Sequence, residues 1–307
     1  TRMWRYAVQK LILAIPTVLA VVAFVFVSIR LVPGDPAVIM AGDFADAATL
    51  DRMREEWGLN RPLPVQFGVF VGNLVQGDLG NSIRSRQPVL RELGSRLQVT
   101  FTLALGSILV TLLIGLVAGI ASAVRPYTVV DYTSTVVSLL GVSMPIFWSG
   151  LILIVIFSLY LDWFPTGGVG TWKHYVLPSV SLGVFSAGVV ARQTRSAMLE
   201  SLATDFVRTA RSKGLPPHQV VLKHAFKASL IPIITITGLQ FGRMLAGAIL
   251  TETVFNLPGL GSYLVTAIAQ RDYPVIQGIV MVFALTFTLV NLVTDLLYPL
   301  VNPQVNQ

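Results

Sequence analysis

The sequence predicts an all-α integral membrane protein with six transmembrane helices and a helical external segment after the first of them. Three observations carry this expectation. Hydrophobic residues make up 54% of the chain and charged residues 12%, against roughly 25% charged in an ordinary soluble domain. Apolar runs of about 20 residues recur, long enough at about 1.5 Å per residue to cross a hydrocarbon layer of roughly 30 Å. Lysine and arginine gather in alternate loops, as the positive-inside rule requires.

The first run, Leu11–Ile29, follows Arg2, Arg5 and Lys10. It competes with a secretory signal, but it is long for a signal core and lacks a small-x-small cleavage site before Val32. Residues 1–31 are therefore assigned to an N-terminal cytoplasmic end and first span, and residues 32–98 to the external segment. Within that segment, Ala47–Trp57 has helical composition, with Asp46 as N-cap and Gly58 just past its end. Val65–Gln76 repeats apolar residues at helical spacing and stops at Gly77. Such a cap closes the mouth of a pathway or receives a soluble partner, and composition leaves both open.

Residues 99–307 form a five-helix core, with runs at Val99–Val124, Tyr132–Leu161, Tyr175–Ala191, Ala228–Thr251 and Val275–Thr294. The loops of interest span 199–230 on the cytoplasmic side and 252–274 outside. Pro16, Pro145 and Pro178 each remove a backbone donor within or beside a run, so kinks are expected there. Gly115 with Gly119, and Gly238 with Gly242, stand four apart. That spacing permits close helix approach and also arises by chance in apolar helices.

With the N-terminus inside, the cytoplasmic segments carry Arg2, Arg5, Lys10, Arg125, Arg192, Arg195, Arg208, Arg211, Lys213, Lys223 and Lys227. The two short outer loops carry only Lys173 and Arg271. Leu31–Gln98 mixes arginines and acids, and a segment that long is translocated largely regardless of charge. Both termini are expected in the cytoplasm. The +7 net charge then reads as a positive-inside signature rather than a nucleic-acid-binding one.

Catalytic chemistry finds little support. None of Lys10, Lys173, Lys213, Lys223 and Lys227 follows a glycine, which excludes the Gly-Lys pair of a nucleotide-binding P-loop. His174, His218 and His224 have no HExxH spacing and no carboxylate cluster beside them, so no metal centre is expected. There is no GxSxG pattern and no cysteine. No catalytic residue and no cofactor in the chain is the expectation. Arg243 interrupts the fifth run and Asp295 lies near the end of the sixth. Ionisable groups at such depth usually face protein or water. Met144, Phe147 and Trp148 beside Pro145, with Gln240, Arg243 and Glu252, are the candidate lining of a translocation path. The competing reading puts Asp295 at the inner interface, lets Arg243 snorkel or pair internally, and gives the aromatic residues packing or lipid-facing roles.

Asp205–Pro232 is a charged hairpin between two apolar runs. Thr204 is its expected N-cap, with Phe206, Val207 and Ala210 as an apolar side and Arg208, Arg211 and Lys213 as a polar one. Gly214 supplies a left-handed exit, and Pro216 and Pro217 suit the first turn of a second helix over Pro217–Lys227. A short amphipathic helix with basic flanks can lie on a lipid surface. The glycine-proline turn favours a rigid knob that docks something.

The whole chain resembles the permease subunits of bacterial peptide-type ABC importers, the dipeptide and oligopeptide permease B subunits above all. The matching strings are VPGDPA at Val32, GLNRPLPVQF at Gly58, GDLGNSI at Gly77, SMPIFW at Ser143, ARQTRSAML at Ala191, RTARSKGL at Arg208, ETVFNLPGLG at Glu252 and RDYPVIQG at Arg271. The resemblance implies a type I ABC importer permease fold in the bacterial cytoplasmic (inner) membrane. It implies that Asp205, Phe206, Arg208, Thr209, Ala210, Lys213, Gly214 and Leu215 belong to an EAA-type loop whose coupling helix seats in an ATPase subunit. Arg208-Thr209-Ala210 stands where many permeases have Glu-Ala-Ala, and YPLVNPQV lacks the Asp-Pro-Arg ending of many relatives.

The implied partners are a second homologous permease, two ATP-binding subunits that hold ATP and Mg, an external solute-binding protein, membrane lipid and a peptide substrate. Relatives carry dipeptides, longer peptides, glutathione or nickel, and the scarcity of intramembrane histidine disfavours direct metal coordination. Two other classes compete: a secondary transporter, which needs coupling-ion acids that the spans lack, and a nonconducting scaffold.

Overall fold

The computed structural model describes residues 2–30, 37–38, 46–56 and 58–301, without the side chains of 2–7, 29–30, 53, 56 and 300–301. Trp57, most of the VPGDPA string and residues 302–307 lie outside the described residues. Every described element is helical. In order they are α1 (Arg2–Arg30), α2 (Ala47–Glu56), α3 (Leu63–Val75), α4 (Val89–Val124), α5 (Val129–Ser143), α6 (Ile146–Tyr160), α7 (Lys173–Leu202), α8 (Asp205–Ser212), α9 (Pro217–Phe226), α10 (Leu230–Val254), α11 (Leu260–Ala269) and α12 (Tyr273–Val301). α6 from Ile154 and α9 from Val220 are wound as π-helix.

Among the described residues, five helices are long and apolar enough to cross a membrane, and the bent pair α5–α6 makes a sixth crossing if it counts as one span. The single run expected over Tyr132–Leu161 is thus broken, with a 102° bend between its halves. Pro145 is the cause. It forces the preceding residue out of helical geometry, so Met144 is extended at ψ 131°, and α6 starts afresh behind the proline. Two other spans exceed their apolar runs. α4 begins ten residues earlier than expected because Arg91, Glu92 and Arg96 are good helix formers that a search for apolar runs passes over. α7 continues beyond Ala191 through Arg192 and Arg195.

In the external segment, the Asp46 carboxylate accepts the Thr49 N–H at 3.1 Å, the capping contact expected, and α2 and α3 end ahead of positive-φ Gly58 and Gly77. Phe67 and Phe70 of α3 pack on Phe26 of α1, with ring centroids 5.2 and 5.6 Å away.

α7 is the central helix: 61% of its apolar window is buried, against 17% for α1. Its partner is α4, and the small residues explain how close they lie. A Cβ on Gly119 would come 2.6 Å from Thr194 Cβ and 2.7 Å from the Ala191 carbonyl oxygen, and one on Gly115 would meet Ala187 and Val190 at 3.0 Å. Gly238 and Gly242 stand against Thr294 and Phe287 in the same way, joining α10 to α12. Both glycine pairs therefore have packing roles. The main apolar core joins Leu103, Leu177, Leu182, Met244, Ala248, Phe255 and Leu257, which ties α4, α7 and α10 to the loop after α10. α1 lies along α12 through Val22, Val25 and Met281.

Candidate functional site

The hairpin sits at the end of the bundle where α4 finishes. Val207 and Ala210, three residues apart on α8, are buried together against Ala123, Met198, Val220 and Ala225. Phe206 does not join them. Neighbouring helical positions point about 100° apart, and Phe206 stands 48% exposed. Asp205, Arg208, Thr209 and Lys213 are also exposed, whereas Leu215 packs on the edge of the buried cluster. Of the eight expected coupling residues, Ala210 and Leu215 thus face the bundle. Thr204 has the extended backbone of an N-cap but makes no capping bond; its hydroxyl donates back to the Ser201 carbonyl at the end of α7. Gly214 has φ +76°, and a Cβ there would meet nothing within 4 Å. Conformation rather than space calls for glycine at this exit.

Beneath the hairpin lies an ion pair whose carboxylate is buried and whose guanidinium is partly exposed. Arg195 Nε and Nη2 donate to the two carboxylate oxygens of Asp131, both at 2.7 Å. The Ser122 hydroxyl and the Tyr127 N–H, at 2.9 Å, complete the carboxylate's partners. This cluster fixes the α4–α5 turn to α7. Ser229 fastens the other end of the hairpin: its Oγ is 3.0 Å from the Ala197 carbonyl oxygen and 2.8 Å from Ser201 Oγ. Sequence reasoning missed the pair, because Asp131 falls just ahead of an apolar run and Arg195 was counted with the positive-inside charges. A single acid ahead of one run and an arginine pair, Arg192 and Arg195, after another on the same side are the available signal.

The opposite end is organised by three carboxylates. Glu252 is fully buried, accepting from the Thr100 hydroxyl at 2.6 Å and the Ser262 N–H at 2.9 Å, while Thr100 Oγ1 accepts the Leu260 N–H at 2.8 Å. The ETVFNLPGLG string folds around its own acid, and on the single chain Glu252, expected in the path lining, is enclosed by that loop. Glu252→Ala leaves two buried donors unsatisfied, each costing about 1–3 kcal/mol. A lowered thermal midpoint of the purified chain is expected, with Glu252→Gln milder because it keeps an acceptor oxygen.

Asp272 accepts from the Ser82 hydroxyl at 2.6 Å and from the Ile83 and Arg84 N–H groups at 3.2 and 3.3 Å. Two separated strings, GDLGNSI and RDYPVIQG, are thereby docked on each other. Glu92 accepts from the Tyr263 hydroxyl, and Arg96 lies over the Tyr263 ring with Cζ 3.8 Å from the centroid. Burial, reinforced by the Glu92 carboxylate, pushes the Tyr263 phenol up and keeps it a neutral donor. A cavity of about 390 Å³ opens here, lined by Ser82, Arg84, Glu92, Arg96, Asn256 and Gln270 among others.

Between these ends, Met144, Phe147, Trp148 and Arg243 are exposed on the single chain, and Gln240 is buried. Arg243 Nη1 donates to Gln240 Oε1 at 3.4 Å. A Cβ on Gly247 would lie 3.6 Å from Ile146 Cδ1, so the Pro145 break rests against α10 about one turn beyond Arg243. Asp295 pairs with Lys10 at 2.9 Å, joining α12 to α1, which fits the interfacial reading. Among the described residues no cluster of His, Asp and Glu could hold a metal ion.

Comparison with known proteins agrees with this architecture. The family of binding-protein-dependent transport system inner membrane components matches residues 112–307, and the N-terminal membrane component family of such systems matches residues 3–104. The glutathione transport system permease protein GsiC of Pectobacterium atrosepticum is 45% identical over 303 residues, covering 99% of each chain. The GsiC protein of Escherichia coli K12 is 44% identical with the same coverage. Among solved structures, the inward-facing MetNI methionine ABC transporter aligns with a TM-score of 0.59 at 18% identity, covering 68% of this chain and 96% of that one. An amino acid ABC transporter with histidines aligns at 0.52 and 18% identity, covering 66% and 93%. These structures share the fold. The chain belongs to the family of binding-protein-dependent transport system inner membrane components, as a multi-pass permease subunit of the peptide-type ABC importers and not an enzyme in its own right.

Proposed function

We propose that the chain forms half of the translocation path for small peptides, delivered by an external binding protein and driven by ATP hydrolysis in partner subunits. The observation that carries this reading is the hairpin. Its apolar ridge is spent on the bundle, and Phe206, Arg208, Thr209 and Lys213 are presented outward from a platform riveted by Asp131, Arg195 and Ser229. A knob held this firmly can transmit a displacement, whereas a flat lipid anchor needs no such foundation. In this reading both termini and the hairpin are cytoplasmic, residues 32–98 and 252–274 are external, and residues 99–307 form the permease core. A second permease completes the path, and two ATPase subunits with ATP and Mg seat the knobs. They drive alternating access only if they bind the inward and outward states unequally.

The substrate reading is a di- or oligopeptide. The names of the GsiC relatives support glutathione, itself a short peptide, as one candidate. The test is isolation of the chain from its native membrane in mild detergent with everything that stays bound, followed by reconstitution into vesicles. Co-isolation of a second permease and ATP-binding subunits, with peptide uptake requiring ATP and the loaded binding protein, is expected. Recovery of the chain alone, with uptake persisting without ATP, would overturn the reading in favour of a secondary transporter.

Arg243 and the Pro145 break are proposed to line the path, with the buried Gln240 accepting from Arg243 behind it. Arg243→Ala is expected to reduce uptake severalfold while the assembled complex survives. Failure of the complex to assemble would instead assign Arg243 a structural role.

A further inference from the structure

Two arginines stand on one side of the innermost helices, Arg243 on α10 and Arg192 on α7, and both are exposed on the single chain. α4 lies behind both. Val190 and Thr194, two positions either side of Arg192 and so about 200° around α7, back onto Gly115 and Gly119 of α4. Phe241, two positions before Arg243, meets Phe101 of α4 with ring centroids 6.3 Å apart. The two arginine faces therefore turn away from α4, toward the same open side. Where Leu182 meets Gly247 the two helices are level. Arg243 is about one turn from that point toward the hairpin and Arg192 nearly three, which separates them by about 9 Å along the bundle at about 1.5 Å per residue. Neither has a carboxylate partner among the described residues. Of the acids on α5, α6, α7, α10 and α12, Asp131 is taken by Arg195, Glu252 by Thr100 and Ser262, and Asp295 by Lys10. Glu200 is the remaining one, about 12 Å further toward the hairpin than Arg192.

We propose that Arg243 is a specificity-determining residue that receives a peptide carboxylate, with Arg192 as the next receptor below it, so that the substrate is a short peptide carrying a second carboxylate. The proposal rests on the reading of this face as the path. Arg243 lies at the middle of the 25-residue α10, where lipid offers only hydrocarbon and no headgroup reaches. An unpaired cation is costly at that depth, so the face is wet or meets an anion. Gln240 takes one of the five guanidinium donors, at 3.4 Å, and leaves a fork that fits a carboxylate. The two arginines stand within the span of one peptide, since three extended residues reach about 10 Å. A zwitterionic peptide gains at its carboxylate and loses at its ammonium against a wall with two positive charges and no negative one between them. A second carboxylate turns that balance into net attraction, which is stronger wherever the closed path is drier than bulk water.

The experiment measures initial uptake of the tripeptides Ala-Glu-Ala, Ala-Gln-Ala and Ala-Lys-Ala into vesicles holding the complete transporter, with ATP trapped inside and saturating loaded binding protein outside. Wild type and variants share the binding protein, so its own preference cancels when their selectivities are compared. Arg243→Ala is expected to lower the ratio of glutamyl to glutaminyl peptide uptake about fivefold or more, and Arg192→Ala to lower it by less. Arg243→Lys keeps the charge and holds the ratio within about twofold of wild type. Arg243→Glu moves the preference toward Ala-Lys-Ala, an outcome that a merely structural arginine would not produce. An unchanged ratio in Arg243→Ala, whether or not total uptake falls, overturns charge selection while leaving the importer reading intact. So does failure of both Arg243→Ala and Arg243→Glu to assemble, which assigns the arginine to an acid of the second permease. A wild-type transporter that takes up none of the three peptides in an ATP-dependent way removes the importer reading itself.

Discussion

Arg195→Ala is expected to destabilise the bundle by about 3–5 kcal/mol, because it strands the buried Asp131 carboxylate. The Asp131 side chain is only 5% exposed, whereas Arg195 is 29% exposed. Removal of the acid is therefore the milder single change, since the freed guanidinium can reach water. Removing both charges together is milder than Arg195→Ala alone, because no uncompensated charge is left in the interior. The measurement is the thermal midpoint of the purified chain for the two single variants and the double Asp131→Ala/Arg195→Ala. A double variant as unstable as the sum of the singles would show that the two residues act independently, against the 2.7 Å contacts. The loss also reaches the hairpin. Arg195 stands about one turn before Met198 and under two turns before Ser201, which hold α8 and Ser229 in place.

The spans were legible in the sequence because burial in lipid leaves a compositional trace that needs no knowledge of partners. Leu11–Ile29, Ala228–Thr251 and Val275–Thr294 each lie within a single observed helix apart from Ala228 and Ser229, ahead of α10. Apolar composition says little about where a helix stops once its polar residues are paired. Arg195 continues α7 because Asp131 neutralises it, and Arg96 extends α4 beside Tyr263. The severity of the Pro145 break was likewise hidden. A proline in an apolar run can produce a mild kink or a 102° turn, and the neighbours that satisfy the freed carbonyls decide which.

For the candidate sites, sequence periodicity located the hairpin and its glycine exit, but only packing separated Phe206 from Val207 and Ala210. Polar contacts between residues distant in the chain left no local pattern. Glu252 with Thr100, Asp272 with Ser82 and Asp131 with Arg195 are 152, 190 and 64 positions apart. An acid in such a place reads equally well as a path-lining group or as a loop anchor until its partners are seen. Glu252 holds the Leu260 and Ser262 end of its loop through Thr100 and its own carboxylate.

Gly214→Ile is expected to uncouple the transporter while leaving it inserted and assembled. The residue has φ +76°, a conformation that costs an L-residue about 1–2 kcal/mol and a β-branched one more. No neighbouring atom lies within 4 Å of the site of a new Cβ, so backbone strain is separated from steric clash. Strain of this size lowers the population of the docking-competent hairpin by roughly tenfold, since 1.4 kcal/mol is a factor of ten. Stimulation of ATP hydrolysis by loaded binding protein should fall correspondingly, with membrane yield and recovery of the partner subunits unchanged. Gly214→Asn is the discriminating control, because asparagine enters the left-handed region with little penalty and should retain most of the coupling. Equal loss in both variants would mean that the position tolerates no side chain when the partner is bound, placing Gly214 inside the docking contact rather than behind it. Normal coupling in the isoleucine variant would detach the hairpin from energy transmission and return it to the role of a lipid-facing anchor.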